Sequence, residues 1–283
     1  MSRAANSTLV ATAAALTGFA ANSLLCRMAL GGGAIDAWSF TAVRLGSGAI
    51  VLLVLARART GTQPLLRAGS WSSALALLVY AVAFSLAYLR VNTGIGALVL
   101  FASVQTTMIG WSLWRGARPS RAEWLGLVIA FGGLVVLARP GDAAPDAMGL
   151  LLMAAAGAAW GVYTLRGRNA TSPLAATADN FARAAPFALA GLALKLPEAS
   201  ASARGVTLAL ASGILASGLG YTLWYTALPR LSATRAAILQ LLVPILAACG
   251  GIALLGENPT QRLAIAGAMI LGGVGIAAGG RRK

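Results

Sequence analysis

The sequence predicts an all-α polytopic membrane protein whose ten transmembrane helices form two inverted five-helix repeats. Composition, the spacing of apolar runs and an internal repeat predict it. Of 283 residues, 58% are hydrophobic and only 10% are charged, where a soluble domain carries about 25% charged residues. The mean hydropathy is +0.79. Thirty-four glycines suit close helix packing in lipid.

The elements follow in order. Apolar stretches at 7–29, 35–56, 71–90, 93–114 and 122–138 are followed by five more at 147–166, 175–196, 205–228, 233–255 and 261–279. Each approaches the roughly 20 residues that cross about 30 Å of hydrocarbon. Polar punctuation separates them: GGGAID, RARTGTQP, RGARPSR, RPGDAAPD, ALPRLS and GENPTQ. Arg3 ahead of the first run imitates a signal peptide, but the run is long enough to span and no hydrophilic domain follows. Trp71 and Trp124, at segment starts, read as interfacial anchors.

Charge sets the orientation. The net charge is +15, yet the basic residues lie mostly in short connections rather than in a patch that would bind nucleic acid. The N-terminus, the 2–3, 4–5, 6–7 and 8–9 connections and the C-terminus hold 14 Lys and Arg, and the other five connections hold 6. The positive-inside rule therefore puts both termini, including the RRK tail, in the cytoplasm of a cell (inner) membrane. Cys26 and Cys249 both fall in apolar runs and read as small hydrophobes.

The two halves, 1–140 and 141–283, repeat each other. Gly18 and Gly157, Arg27 and Arg166, and Arg44 and Arg183 are each 139 residues apart. FGGLVVLA at 131–138 answers LGGVGIAA at 271–278, and Phe84 and Tyr88 answer Tyr221 and Tyr225. Five helices is an odd number, so the second copy enters from the opposite side. Inverted repeats of this kind place a substrate site near the midplane, where the halves meet.

Residues 230–278, RLSATRAAILQLLVPILAACGGIALLGENPTQRLAIAGAMILGGVGIAA, resemble the second-half signature of the drug/metabolite transporter superfamily in its ten-helix EamA-type branch. The marks are Pro244 in the ninth helix, the Leu255–Gly256–Glu257 ending, and a glycine-rich tenth helix. The first half departs from the pattern, with Gln105 where a proline would match Pro244 and RGARPS at 115–120 in place of the LGE-type ending. NSLLCRMAL and TGIGALVLFASVQTTMIGW look most like the bacterial aromatic amino-acid exporters of this superfamily. The resemblance implies that helices 1, 3, 4, 6, 8 and 9 line a central cavity, leaving 2 and 7 outside it.

The candidate residues follow from chemistry and position. Arg44 and Arg183 stand inside apolar stretches, where a cation costs roughly 2.5–3.5 kcal/mol. Asp179 lies one helical turn before Arg183 and can pair with it, whereas Phe40 holds the matching place before Arg44. Two readings of Arg44 stand. It snorkels to an interface or bonds backbone carbonyls, or it puts positive potential into the cavity and attracts a substrate carboxylate.

Tyr80, Phe84 and Tyr88 form a stripe on the third helix, with Tyr221, Trp224 and Tyr225 on the eighth. With Tyr80, Phe84, Tyr88 and Tyr221, Asn22 on the first, Phe101 and Gln105 on the fourth, Trp160 and Tyr163 on the sixth and Gln240 on the ninth make ten candidate substrate-binding residues. Ser23 on the first is a further polar group expected to face the cavity. An interfacial belt explains Tyr88 equally well, and interhelical hydrogen bonding explains the amides. Rings with neutral donors and acceptors suit an amphipathic metabolite. Pro186 and Pro244 are candidate hinges, and Gly275 and Gly279 stand at GxxxG spacing for close packing.

These residues predict a secondary transporter that exports small amphipathic metabolites, aromatic amino acids first among them. No glycine-rich run precedes a Lys–Ser/Thr pair, so a nucleotide-driven pump is not expected. No cofactor or metal is expected, and the expected partners are a small-molecule substrate and the lipid bilayer. With no histidine and only Asp179 deep in a span, the reading favours facilitated export or exchange over proton coupling. Efflux of lipophilic cations is the runner-up, because aromatic faces attract them. A pore lined by neutral groups also remains open. An intramembrane enzyme lacks its usual metal cluster or paired aspartates.

Overall fold

In the computed structural model, the regular elements among the described residues are all helical. Those residues are 3–60, 67–116, 120–138, 145–167, 170–227, 239–240 and 242–279. In chain order the helices are α1 (Arg3–Leu30), α2 (Ala37–Thr60), α3 (Trp71–Tyr88), α4 (Thr93–Trp114), α5 (Arg121–Ala138), α6 (Ala147–Gly167) and α7 (Pro173–Leu194). After a single turn of 3-10 helix, α8 (Ala203–Ala211) runs through a π-helical stretch, Ser212–Leu219, into α9 (Gly220–Ala227). α10 (Leu242–Leu255) and α11 (Gln261–Gly279) complete the order. Residues 233–238 of the ninth apolar stretch and the RRK tail lie outside the described residues.

Six helical runs are long and apolar enough to cross a membrane: Leu9–Leu30, Ala37–Arg59, Trp71–Tyr88, Thr93–Trp111, Ala147–Gly167 and Ala203–Trp224, with Leu242–Leu255 a shorter apolar helix. Large apolar side chains, among them Val54, Val128, Phe131 and Leu151, are exposed on the helix surfaces. In water that surface would be costly; against lipid tails it is solvated. The chain is a multi-pass membrane protein.

Helix starts are set by side chains that take up orphan backbone N–H groups. Ser120 and Glu123 form a capping box at α5, each accepting the other's backbone N–H. Ser202 caps α8 and Thr260 caps α11. Two helices of the first half are capped from the second. Glu257, between α10 and α11, accepts the Thr93 N–H and hydroxyl at the start of α4. Asp179 and Asn180 on α7 accept the N–H groups of Gly69 and Ser70 before α3.

The helices pack in a pattern with two-fold character. α2 lies on α7 and α5 on α11; α6 packs on α3 and α4, and α1 packs correspondingly on α9 and α10. The turn residues Gly116 and Gly256 share a left-handed backbone, with φ of 85° and 65°, a region open to glycine without steric cost. The RGARPS segment thus keeps the turn glycine of the LGE ending, although it replaces the glutamate.

The glycine expectation needs correction. An added Cβ at Gly275 meets nothing within 4 Å, whereas at Gly273 it would lie 2.6 Å from the Ala130 backbone nitrogen. Close approach of α11 to α5 therefore runs through Gly273, facing Gly126 and Ala130. Gly275 points away because 100° per residue turns it off that face. Pro186 is exposed on an α7 that runs through it without a break, and Pro244 is buried near the start of α10.

Candidate functional site: a cavity between the helices

A cavity opens among the middle portions of the helices. Its wall comprises Phe19, Asn22 and Ser23 on α1, Arg44 on α2, Tyr80 and Phe84 on α3, and Leu100 and Phe101 on α4. Trp160 on α6, Ala216 and Ser217 on the π-helical stretch, Tyr221 on α9 and Gln240 close it. Its free volume is about 30 Å³, room for a water or two at roughly 10–15 Å³ each but too small for an amino acid. At that volume a substrate requires the walls to part.

Trp160 is the hub of the aromatic wall. Its ring lies 4.8 Å from Tyr80, 5.3 Å from Tyr221 and 5.3 Å from Tyr163, which stacks on it. Tyr80 touches Phe84, and Phe19 meets Tyr221 edge-on. The residues come from four helices and the ring centroids lie within the 4.5–7 Å range of favourable aromatic pairs.

Of the ten candidate substrate-binding residues, seven line the cavity: Asn22, Tyr80, Phe84, Phe101, Trp160, Tyr221 and Gln240. Tyr88 does not. It is fully buried, edge-on to Phe84 at 4.8 Å, so it is not an interfacial belt residue either. Tyr163 stands behind Trp160 and accepts a hydrogen bond from Asn180 Nδ2 at 3.5 Å, and Gln105 is buried outside the wall. The i, i+4 stripe signalled a common face, but the third turn of that face passes the cavity. The Tyr225 side chain lies outside the described residues.

Arg44 enters the wall from α2, a helix expected to stand outside it. Its side chain is 1% exposed, so it does not snorkel. Nη2 donates to the Tyr80 hydroxyl at 3.0 Å, while Nε and Nη1 have no partner. The guanidinium carbon sits 5.2 Å from the Tyr80 ring and 5.1 Å from Phe84, within range of cation–π attraction. Tyr80 also accepts from Asn22 Nδ2 at 3.3 Å, and Asn22 in turn accepts the Ser212 hydroxyl at 2.6 Å. This chain ties α1, α2, α3 and the π-helical stretch together at one point.

Arg183 behaves differently. Its Nε and Nη2 donate to Asp179 at 2.8 and 3.0 Å, and its guanidinium carbon lies 4.9 Å from the Trp71 ring centre. Asp179 is thereby committed to Arg183 and to the Gly69 N–H. The other described carboxylates also lie outside the wall: Asp36 with Trp38, Ser39 and Ser200, Glu123 with Ser120, Asp146 with Arg90, Glu198 with Lys195, and Glu257 with Thr93 and Arg27. No group of three or more potential metal ligands occurs among the described residues.

Sequence reasoning missed Ser217, Phe19, Leu100 and Ala216 as wall residues. Ser217 had no local signal, because a π-helical stretch has its own angular step and moves side chains off the α-helical face. Phe19 shares α1 with Asn22 at i, i+3 spacing, which could have identified it.

Comparison with known proteins agrees with this architecture. Residues 147–278 match the EamA-like transporter family. An uncharacterized protein of Pseudomonas aeruginosa is 49% identical over 269 residues, covering 95% of this chain and 93% of its own. The threonine/homoserine exporter RhtA of Escherichia coli K12 is 31% identical, over 85% of this chain and 82% of its own length. A probable terminal-alkyne amino-acid exporter of Streptantibioticus cattleyicolor is 27% identical, over 69% and 67%. A solved crystal structure superposes with a TM-score of 0.66 at 23% identity, covering 96% of this chain and 99% of the other; that likeness concerns the fold.

Proposed function

The chain belongs to the EamA-like transporter family, and we propose that it is a secondary carrier exporting small amphipathic metabolites, chiefly amino acids. The observation that carries this reading is the cavity between the helices, whose wall combines aromatic rings with Asn22, Ser23, Ser217 and Gln240. An apolar wall with a few placed polar groups is what a small-molecule site requires. Relatives named as exporters of threonine and homoserine and of an amino acid bearing a terminal alkyne support the substrate class. The ring cluster around Trp160 favours aromatic or other apolar side chains within that class.

The carrier works by alternating access between two inverted five-helix halves, 1–140 and 141–283, ten spans in all, with both termini cytoplasmic in the inner membrane. The reciprocal packing of α6 on α3 and α4, and of α1 on α9 and α10, supports that symmetry, as do Gly116 and Gly256. Facilitated export or exchange fits a cavity in which none of the described carboxylates forms the wall.

Counterflow tests the proposal. Proteoliposomes preloaded with unlabelled phenylalanine, with no ion gradient, are expected to give a transient overshoot of labelled phenylalanine. An overshoot only with a lipophilic cation such as methyl viologen would replace the substrate class. Uptake driven uphill by a pH jump would overturn uncoupled exchange.

A further inference from the structure

The Arg44 guanidinium brings a full positive charge into the cavity, with no counter-ion among the described residues. Arginine stays protonated in proteins and carries five N–H donors; Nη2 is engaged by Tyr80, and Nε and Nη1 are unpartnered although Arg44 is 1% exposed. A second buried group in the same wall, the Ser217 hydroxyl, also lacks a partner. The Tyr80 oxygen already accepts from Arg44 and Asn22, so its own O–H remains available to donate. The two free Arg44 nitrogens can only donate, the Tyr80 O–H is a further donor, and the Ser217 hydroxyl in the same wall can donate as well.

Leaving such groups without partners is costly, and more so when they are charged. A fold keeps that cost where a ligand removes it. The π-helical stretch contributes directly. Gly213 lies so close to α2 that an added Cβ would stand 2.5 Å from the Arg44 carbonyl oxygen, and this contact brings the Ser217 segment against the arginine's own turn.

We infer that this corner is a carboxylate subsite: Arg44 takes a substrate carboxylate through Nε or Nη1, and the Ser217 and Tyr80 hydroxyls complete its hydrogen bonds. The Trp160 ring cluster receives the rest of the molecule. The carrier therefore selects substrates by a free carboxylate, amino acids and related acids, and rejects their amides and simple amines. The inference takes the cavity as the transport site and in that respect rests on the exporter reading.

The test separates the two. Competition against labelled phenylalanine is measured with phenylalanine, 3-phenylpropionate, phenylalaninamide and phenethylamine, and the same compounds are titrated against the purified protein by thermal shift. Wild type is expected to bind the two acids at least about tenfold more tightly than the amide and the amine. Arg44→Gln should erase that difference while keeping the melting temperature, and Arg44→Lys should restore part of it. Ser217→Ala, a milder change, should weaken acids alone by about three- to tenfold. Equal affinity of wild type for phenylalanine and phenylalaninamide, or acid selectivity surviving in Arg44→Gln, would overturn the subsite even if counterflow persists. Acid-selective thermal stabilisation lost in Arg44→Gln, without amino-acid counterflow, would support the subsite and overturn the exporter reading.

Discussion

Arg44 and Arg183 stand 139 residues apart in two halves of one chain, yet the residue one turn before each differs. Asp179 precedes Arg183 by a turn and neutralises it, while Phe40, fully buried at the matching position, offers Arg44 no partner. The neighbour one turn before each arginine decides what it does. Substitution should separate the roles. Arg183→Gln removes two hydrogen bonds to a charged group and should cost on the order of 2 kcal/mol, read as a lowered melting temperature in detergent with unchanged substrate affinity. Arg44→Gln deletes an unpaired buried charge and should leave stability equal or higher. Trp160→Ala should abolish counterflow, whereas Trp160→Phe, which keeps a ring between Tyr80 and Tyr221, should keep measurable transport.

At the scale of the element, most helix limits were legible, because apolar runs end at charged or glycine-rich breaks. The sequence expectation of 93–114 coincides with α4, and that of 122–138 lies within one residue of α5. The π-helical stretch went unread, although its two Ser–Gly pairs, Ser212–Gly213 and Ser217–Gly218, are weak helix formers of the kind found where a helix departs from regularity. Contacts with α1 and α2 accompany it: Ser212 bonds Asn22, and Gly213 meets Arg44. Gly213→Ala should force that pair apart at a cost of about 1–3 kcal/mol, measurable as lost thermal stability together with slowed counterflow. Gly46→Ala on the same α2 is the control. A Cβ there meets nothing within 4 Å, and replacing a mid-helix glycine should raise stability by roughly 0.5–1 kcal/mol.

Across the whole molecule, hydrogen bonds link connections that are distant in the chain. Glu257 of the second half reaches the start of α4, and Asp36, before α2, accepts the Ser200 N–H while Ser202 bonds the Ala34 carbonyl. Partial burial pushes the Asp36 carboxyl up, but hydrogen bonds from Ser39, Ser200 and Trp38 outweigh it and hold it below its ordinary value of 3.8. A carboxyl lowered by folding stabilises the fold fully above that ordinary value, and the contribution is lost as pH falls through the folded value. The thermal stability advantage of wild type over Asp36→Asn should therefore be constant near neutrality and shrink below about pH 4. An advantage that grows on acidification would contradict this assignment.

The sequence by itself determined the membrane class, most of the helices, the two intramembrane arginines and seven of ten candidate wall residues, because burial in lipid writes itself into composition. Only the tertiary structure decided that α2 carries Arg44 into the cavity and that Tyr88 and Gln105 stand outside it. It also decided that Ser217 faces the same space and that Gly273, not Gly275, is the close-packing glycine. Those outcomes depend on the rotation of each helix about its axis, on a local change in helical pitch, and on neighbours from the other half of the chain. A linear pattern of apolar residues does not encode rotation where nearly every face is apolar, since lipid and protein interior reward the same side chains.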